Sequence, residues 1–240
     1  MGAWPTEAVD RIRRGFEAAR NDVRAAGMRW YMRDQFPFLG IQTPERRRLL
    51  REATAGLGRP SAEQLLAAAR TLWSLPEREY QYAATDLLTR HERVLPADAL
   101  SEIREFIVTK AWWDTVDALA ARVVGPMVLR HPELVPEMDA WIESDDLWVT
   151  RSAILHQLTY KARTDEERLF RYCLRRAGDS DFFIRKAIGW ALREYSKTAP
   201  DAVIAFVSAH ADALSPLSKR EALQRIEREK RRADAADQAR

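Results

Sequence analysis

Apolar side chains in this chain recur at three- and four-residue spacing, in segments of roughly 10–18 residues that end at proline, glycine or capping residues. Thr43-Pro44-Glu45 reads as an N-cap followed by proline at the first helical position, where a missing N–H costs nothing. Ser61-Ala62-Glu63-Gln64 has the spacing of a capping box, in which Ser61 and Gln64 satisfy each other's backbone N–H. Pro76, Pro96, Pro132 and Pro200 sit at expected helix starts. No alternating stretch is flanked by hairpin turn residues, so no strand is expected.

The helical segments come in pairs, and two of them resemble each other. The stretch from Asp145 to Ile154 aligns with that from Asp179 to Ile188 at a register of 34 residues. Arg151 then matches Arg185, Ala153 matches Ala187, and Leu158 matches Leu192. A weaker echo runs from Gln81 through Leu88 at about twice that spacing. A period in this range belongs to stacked helix pairs of the HEAT or armadillo kind, each burying its apolar face on the next. The expected fold is an all-α solenoid of antiparallel helix pairs. From about Glu227 the apolar residues reduce to alanines. One domain is therefore expected over 1–226, with a charged tail of frayed helix or disorder over 227–240, and the first dozen residues are expected to be loosely held.

Composition narrows the class. Of 240 residues 46% are hydrophobic and 31% charged, which suffices for a sizeable core. Scarce glycine with abundant Ala, Leu, Arg and Glu favours helix. The one cysteine, Cys173, lies in the apolar pattern LFRYCL and reads as a core thiol. No apolar run approaches the roughly 20 residues of a membrane span, and the first residues lack an apolar signal core, so a cytoplasmic protein is expected. There is no zinc-spaced Cys/His cluster, no phosphate-binding glycine loop, no HExxH and no GxSxG. His91, His131, His156 and His210 are scattered and read as structural or surface residues. The net charge is only +3, but 151–197 carries eleven Lys/Arg against six Asp/Glu. That local surplus fits a polyanionic partner, or a solvated helix face.

Two segments concentrate candidate chemistry. In Lys110-Ala111-Trp112-Trp113-Asp114-Thr115-Val116-Asp117, adjacent tryptophans on a helix stand about 100° apart, and Trp113 shares a face with Asp117. A ring beside a carboxylate makes a site for a cation; the alternative is Asp114 or Asp117 as a helix cap with Trp112 as a core filler, and Trp112 reads as core. In the second segment Lys186, Trp190, Arg193 and Lys197 form one helical stripe. It suits an anionic backbone, or a solvated face around a buried Trp. Gly189, inside this helix pattern, implies that something approaches the backbone closely.

Beyond these patterns, FLGIQTPERR (38–47), LPERE (75–79), VTKAWWDTVD (108–117), FFIRKAIGWALREYSKT (182–198) and PLSKRE (216–221) together resemble the AlkD family of DNA alkylation-repair glycosylases, in order from about Met28 to Arg225. The resemblance implies a right-handed superhelix of HEAT-like repeats whose concave face holds duplex DNA. It implies that Asp117, not Asp114, is the catalytic aspartate, with Trp113 and Trp190 as active-site tryptophans. Arg151 and Arg193 correspond to DNA-backbone contacts and Tyr31 to a site-lining tyrosine. Gln42, Lys186, Lys197, Lys219 and Arg220 join them as DNA-binding candidates. The implied partner is duplex DNA carrying alkylated bases, the expected enzyme is a monomer, and no cofactor or metal is expected.

The implied reaction is hydrolysis of the N-glycosidic bond of cationic N3- and N7-alkylpurines, leaving an abasic site without base flipping. Such a base already leaves readily, so catalysis needs a fixed negative charge near C1′ rather than a strong acid. The competing reading is a helical-repeat scaffold that grips nucleic acid or a protein without chemistry. It would keep the basic stripe but would not need Asp117 beside Trp113.

Overall fold

The computed structural model describes residues 3–238, and every regular element among them is helical, as expected. No helix among the described residues is long and apolar enough to cross a membrane. Contacts divide the chain into two compact units, one ending at Phe106 and the next starting at Ile107.

The first unit holds α1 (Ala3–Ala18), α2 (Asp22–Tyr31), α3 (Thr43–Ala53), α4 (Ala62–Ser74), α5 (Arg78–Arg90) and most of α6 (Leu100–Val108). The expectation of a loosely held N-terminus is corrected here. Trp4, Ala8, Val9, Ile12 and Phe16 line one face of α1 and are buried against α3 and α4. Each large side chain so buried contributes about 1.5–3 kcal/mol. The Trp4 indole also donates to the Gly58 carbonyl at 3.2 Å. By contrast α2 buries no side chain and leaves Val23, Trp30 and Tyr31 largely exposed.

The loop between α2 and α3 is fixed by a buried carboxylate. Glu79 accepts from the backbone N–H groups of Leu39, Gly40 and Ile41 at 2.9, 2.8 and 3.1 Å. The neighbouring Arg78 guanidinium lies 3.8 Å from the centre of the Phe36 ring. Gly40 takes φ +88°, and a side chain there would collide with the Asn21 carbonyl. The Ser61 capping box forms as the sequence predicts, at 3.2 and 3.0 Å. The expected cap at Thr43 shifts by one residue: Thr43 is already helical and Gln42, in extended conformation, is the cap residue.

The second unit continues with α7 (Trp113–Leu119), a π turn over Ala120–Val124, α8 (Gly125–Arg130), α9 (Val135–Trp141), α10 (Leu147–Leu155), α11 (Glu166–Arg175), α12 (Phe182–Tyr195), α13 (Pro200–Ala209) and α14 (Pro216–Gln238). Its core includes Val116, Leu119, Val149, Ile154, Ile184, Ile188 and Leu192. Cys173 is buried among them, and burial pushes its thiol far above the ordinary range. α10 packs on α7, α9 and α12, and α12 packs on α14. α14 runs through the segment expected as a tail, to Gln238.

The repeat is visible in the cross-links. Asp117 meets Arg151 across 34 residues, Asp139 meets Arg171 across 32, and Lys186 meets Glu221 across 35. Asp146 caps α10, accepting from the backbone N–H groups of Trp148 and Val149, and Asp181 caps α12, accepting from that of Phe183. These caps are 35 residues apart, one more than the sequence register. Counted from the cap, Arg151 is therefore equivalent to Lys186 rather than to Arg185. Asp117 stands the same five residues after Trp112, the residue that precedes α7.

Candidate functional site

Asp117 and Arg151 occupy equivalent positions on packed helices, and they meet. Arg151 donates from Nε to Oδ1 of Asp117 at 2.7 Å and from Nη2 to Oδ2 at 2.8 Å. Its third nitrogen, Nη1, donates to the Phe183 carbonyl, and the guanidinium lies 5.8 Å from the Phe183 ring centre. A two-pronged pair of this kind fixes the plane of the carboxylate as well as its position. The side chains are 5% exposed for Arg151 and 14% for Asp117. Burial raises the Asp117 carboxyl above the ordinary carboxylate range, and nearby Asp114 adds to this; the hydrogen bonds and charge of Arg151 act in the opposite direction. Arg151 is thus what favours the ionised form.

Trp113 opens α7, four residues before Asp117, and is half-buried. Trp112 does not share that helix. It is extended, with φ −162° and ψ 157°, so the two tryptophans are not 100° apart on one helix as the sequence predicts. Its ring packs in an aromatic cluster, with centroids 5.7 Å from Trp148 and 5.3 Å from Phe183. The cluster abuts Arg151 through Phe183. The Trp112 indole nitrogen is enclosed and makes no hydrogen bond.

Trp190 is half-buried on α12. The cations of its stripe are engaged with carboxylates. Lys186 and Arg193 bind the two oxygens of Glu221 on α14 at 2.8 and 2.7 Å, and Lys197 reaches Glu194 at 2.8 Å. Burial works against the Glu221 carboxylate, but the hydrogen bond and charge of Lys186, with Arg193, hold it below its ordinary range. The close approach implied by Gly189 is made by α14: a Cβ there would lie 2.5 Å from Glu221 Cβ and 2.9 Å from the Ser218 carbonyl.

Of the remaining candidates, Tyr31 is 67% exposed at the end of α2, and Gln42 is exposed before α3, both in the first unit. Lys219 donates to the Ala211 carbonyl at 2.6 Å, and Arg220 is exposed on α14. Sequence reasoning missed the partners. Arg151 was expected to face a phosphate, whereas here it is nearly enclosed on Asp117; Glu221, Trp148 and Phe183 were not singled out. One signal was available: the spacing from Asp117 to Arg151 equals the repeat, which puts equivalent positions of neighbouring helices side by side.

Chemically, the pair offers an oriented carboxylate whose oxygens each keep acceptor capacity beyond the Arg151 bond. Trp113 stands one turn before it on the same helix, and the centre of the Phe183 ring lies 5.8 Å from the guanidinium that holds it. Such a group can hold a water molecule or face a developing cation.

No curated protein matches the sequence. The model of the DNA alkylation repair enzyme family matches residues 12–226. A solved structure from Enterococcus faecalis, described as a predicted DNA alkylation repair enzyme, is 33% identical, with 85% of this chain and 95% of that chain covered and a TM-score of 0.78. The match runs through both units and takes in Asp117, Arg151 and the basic stripe. The chain belongs to the DNA alkylation repair enzyme family.

Proposed function

We propose that this chain is a monofunctional DNA glycosylase that hydrolyses the N-glycosidic bond of cationic N3- and N7-alkylpurines in duplex DNA. The observation that carries the reading is the Asp117 carboxylate, enclosed and held in one orientation by Arg151, within a chain of a DNA alkylation repair family. An alkylated purine with a positive charge leaves as a neutral base. The electron deficit then develops at C1′ and the ring oxygen of the deoxyribose, where a preformed negative charge lowers the barrier. Asp117 stabilises that deficit and positions the attacking water through its remaining lone pairs. Arg151 favours the ionised carboxylate against the effect of burial and aims it. Trp113 and Trp190 hold the sugar-phosphate chain against their ring faces. Phosphate contact in the second unit falls to Arg193, Lys197 and Arg220, with Lys186 and Lys219; in the first unit Tyr31 and Gln42 are DNA-binding residues. The lesion is engaged from the backbone side, without a base pocket.

Because no group is assigned to protonate the leaving base, charge on the lesion decides the rate. Excision from matched duplexes tests this. 7-Methylguanine and 3-methyladenine should be released at least 100-fold faster than neutral uracil, hypoxanthine or 8-oxoguanine, a gap of about 3 kcal/mol in the barrier. Comparable release of a neutral base would point to an acid on the enzyme instead. The strand should remain intact until heat or alkali cuts it, and borohydride should trap no covalent adduct; a trapped adduct would mean a lyase with an amine nucleophile.

A further inference from the structure

α14 packs on α12, and its middle stretch from Gln224 to Arg232 lines an open groove of about 680 Å³ with α12. Arg193 and Lys197 from α12 face it, together with Arg225, Arg228, Arg231 and Arg232 from α14. Among the described residues no carboxylate lines it; Gln224 is the other lining side chain. Four of these cations are paired with carboxylates that are not among the lining residues: Arg193 binds Glu221, Lys197 binds Glu194, Arg225 binds Glu229 at 2.8 Å and Arg231 reaches Glu227 at 3.5 Å. Arg228 and Arg232 pair with no described carboxylate. Arg225 is anchored further by donating to the Ser196 carbonyl at 3.0 Å, which ties this face of α14 to the end of α12. The residues beyond 226, including Arg228, Arg231 and Arg232, lie outside the match to the family.

We propose that this groove binds the phosphate backbone of duplex DNA away from the lesion, so that the DNA track runs beyond the span matched by the family onto the Arg225–Arg232 stretch of α14. The inference rests on DNA being the substrate. Clustered guanidinium groups repel one another, and a phosphate relieves that repulsion while matching their fork of donors. Arg225, Arg228 and Arg232 follow the i, i+3, i+7 spacing of one helix face. At 1.5 Å of rise per residue they span about 10 Å of axis, while each DNA strand carries a phosphate every ~3.4 Å, so the stripe matches about three phosphates. The segment that composition marks as a charged tail is, in this reading, a second grip that relatives lacking it would not have.

The experiment is equilibrium binding of a long undamaged duplex, by fluorescence anisotropy over a range of salt. It compares the wild-type chain with R228A/R231A/R232A and with R228K/R231K/R232K, after melting curves establish that all three fold. The alanine variant should bind at least tenfold more weakly at low salt. Its plot of log affinity against log salt should be shallower by two to three units, since each lost phosphate contact removes about 0.9. The lysine variant, which keeps the charges, should retain the wild-type slope. An unchanged slope in the alanine variant would overturn the proposal, as would equal loss in the lysine variant. A loss seen only on single-stranded RNA of equal length would overturn the assignment to duplex DNA. Excision of 7-methylguanine by the wild-type chain is measured in parallel: a slope change without excision keeps the groove and removes the glycosylase, and excision without a slope change does the reverse.

Discussion

Asp117 and Arg151 illustrate how a single pair can set chemistry. Burial disfavours the Asp117 carboxylate, and Arg151 offsets it through two hydrogen bonds. Removing the guanidinium leaves burial unopposed, so the carboxyl moves further up. Under the proposed mechanism excision uses the ionised form, so the acid limb of the rate–pH profile for Arg151→Gln should shift to higher pH by about one unit or more. Arg151→Lys should keep more of the limb position but a lower plateau, because a point charge does not reproduce the fork. A lower rate with an unmoved acid limb would mean that Arg151 only supports the fold. His156 offers a separate test of burial. Its ring is enclosed, with Nδ1 2.6 Å from the Ala153 carbonyl and Nε2 without a partner. Burial lowers its pKa from 6.5 to about 4. A depressed histidine gives stability that is complete above pH 6.5 and lost as pH falls towards 4, in all about 3 kcal/mol. Thermal unfolding from pH 7 to pH 4 should therefore fall more steeply for the wild type than for His156→Phe; parallel curves would contradict this.

Between elements, the contact of α12 with α14 depends on the absence of a side chain. Gly189→Ala would force Glu221 and the Ser218 backbone outward, at a cost of about 1–3 kcal/mol. Gly27, inside α2, faces open space, so Gly27→Ala should be neutral or raise stability by up to about 1 kcal/mol. Melting curves decide this, and an equal response at both positions would contradict the packing account. The glycine in IGWAL was legible as a close approach, but its partner was not, because the partner lies 32 residues on, at Glu221. Caps were legible where a side chain closes a local ring, as Ser61 and Gln64 do. Thr43 missed by one, since a proline is tolerated at either of the first two helical positions. Trp112 was placed on the wrong side of a helix boundary, because an apolar pattern does not mark where α7 begins. The 34-residue register identified the right helices yet slipped by one at their caps.

For the molecule as a whole, the pattern of apolar positions was enough to read an all-helical chain of paired elements, because helix pairs contact their sequence neighbours and leave a periodic trace. It placed Asp117 on one face with Trp113 but did not choose between Asp117 and Asp114, or between a site and a helix cap; the choice of Asp117 came from the family resemblance. The enclosure of Arg151 was not legible: an arginine reads as a surface cation until its partner is known. The same holds for the basic stripe, whose surplus of charge over 151–197 was visible while its pairing with Glu221 was not. The central claim is that the oriented Asp117 carboxylate performs base excision. The most direct measurement is single-turnover release of 7-methylguanine from a duplex, with enzyme in excess, by the wild type and by Asp117→Asn. Asparagine keeps the size and one acceptor but removes the charge. The wild type should release the base and leave an intact abasic strand. Asp117→Asn should be slower by about 100- to 1,000-fold, the scale of losing one preorganised electrostatic contact, while binding DNA as well or more tightly. Excision by Asp117→Asn at near the wild-type rate would contradict the account and reduce the Asp117–Arg151 pair to a structural cross-link between repeats.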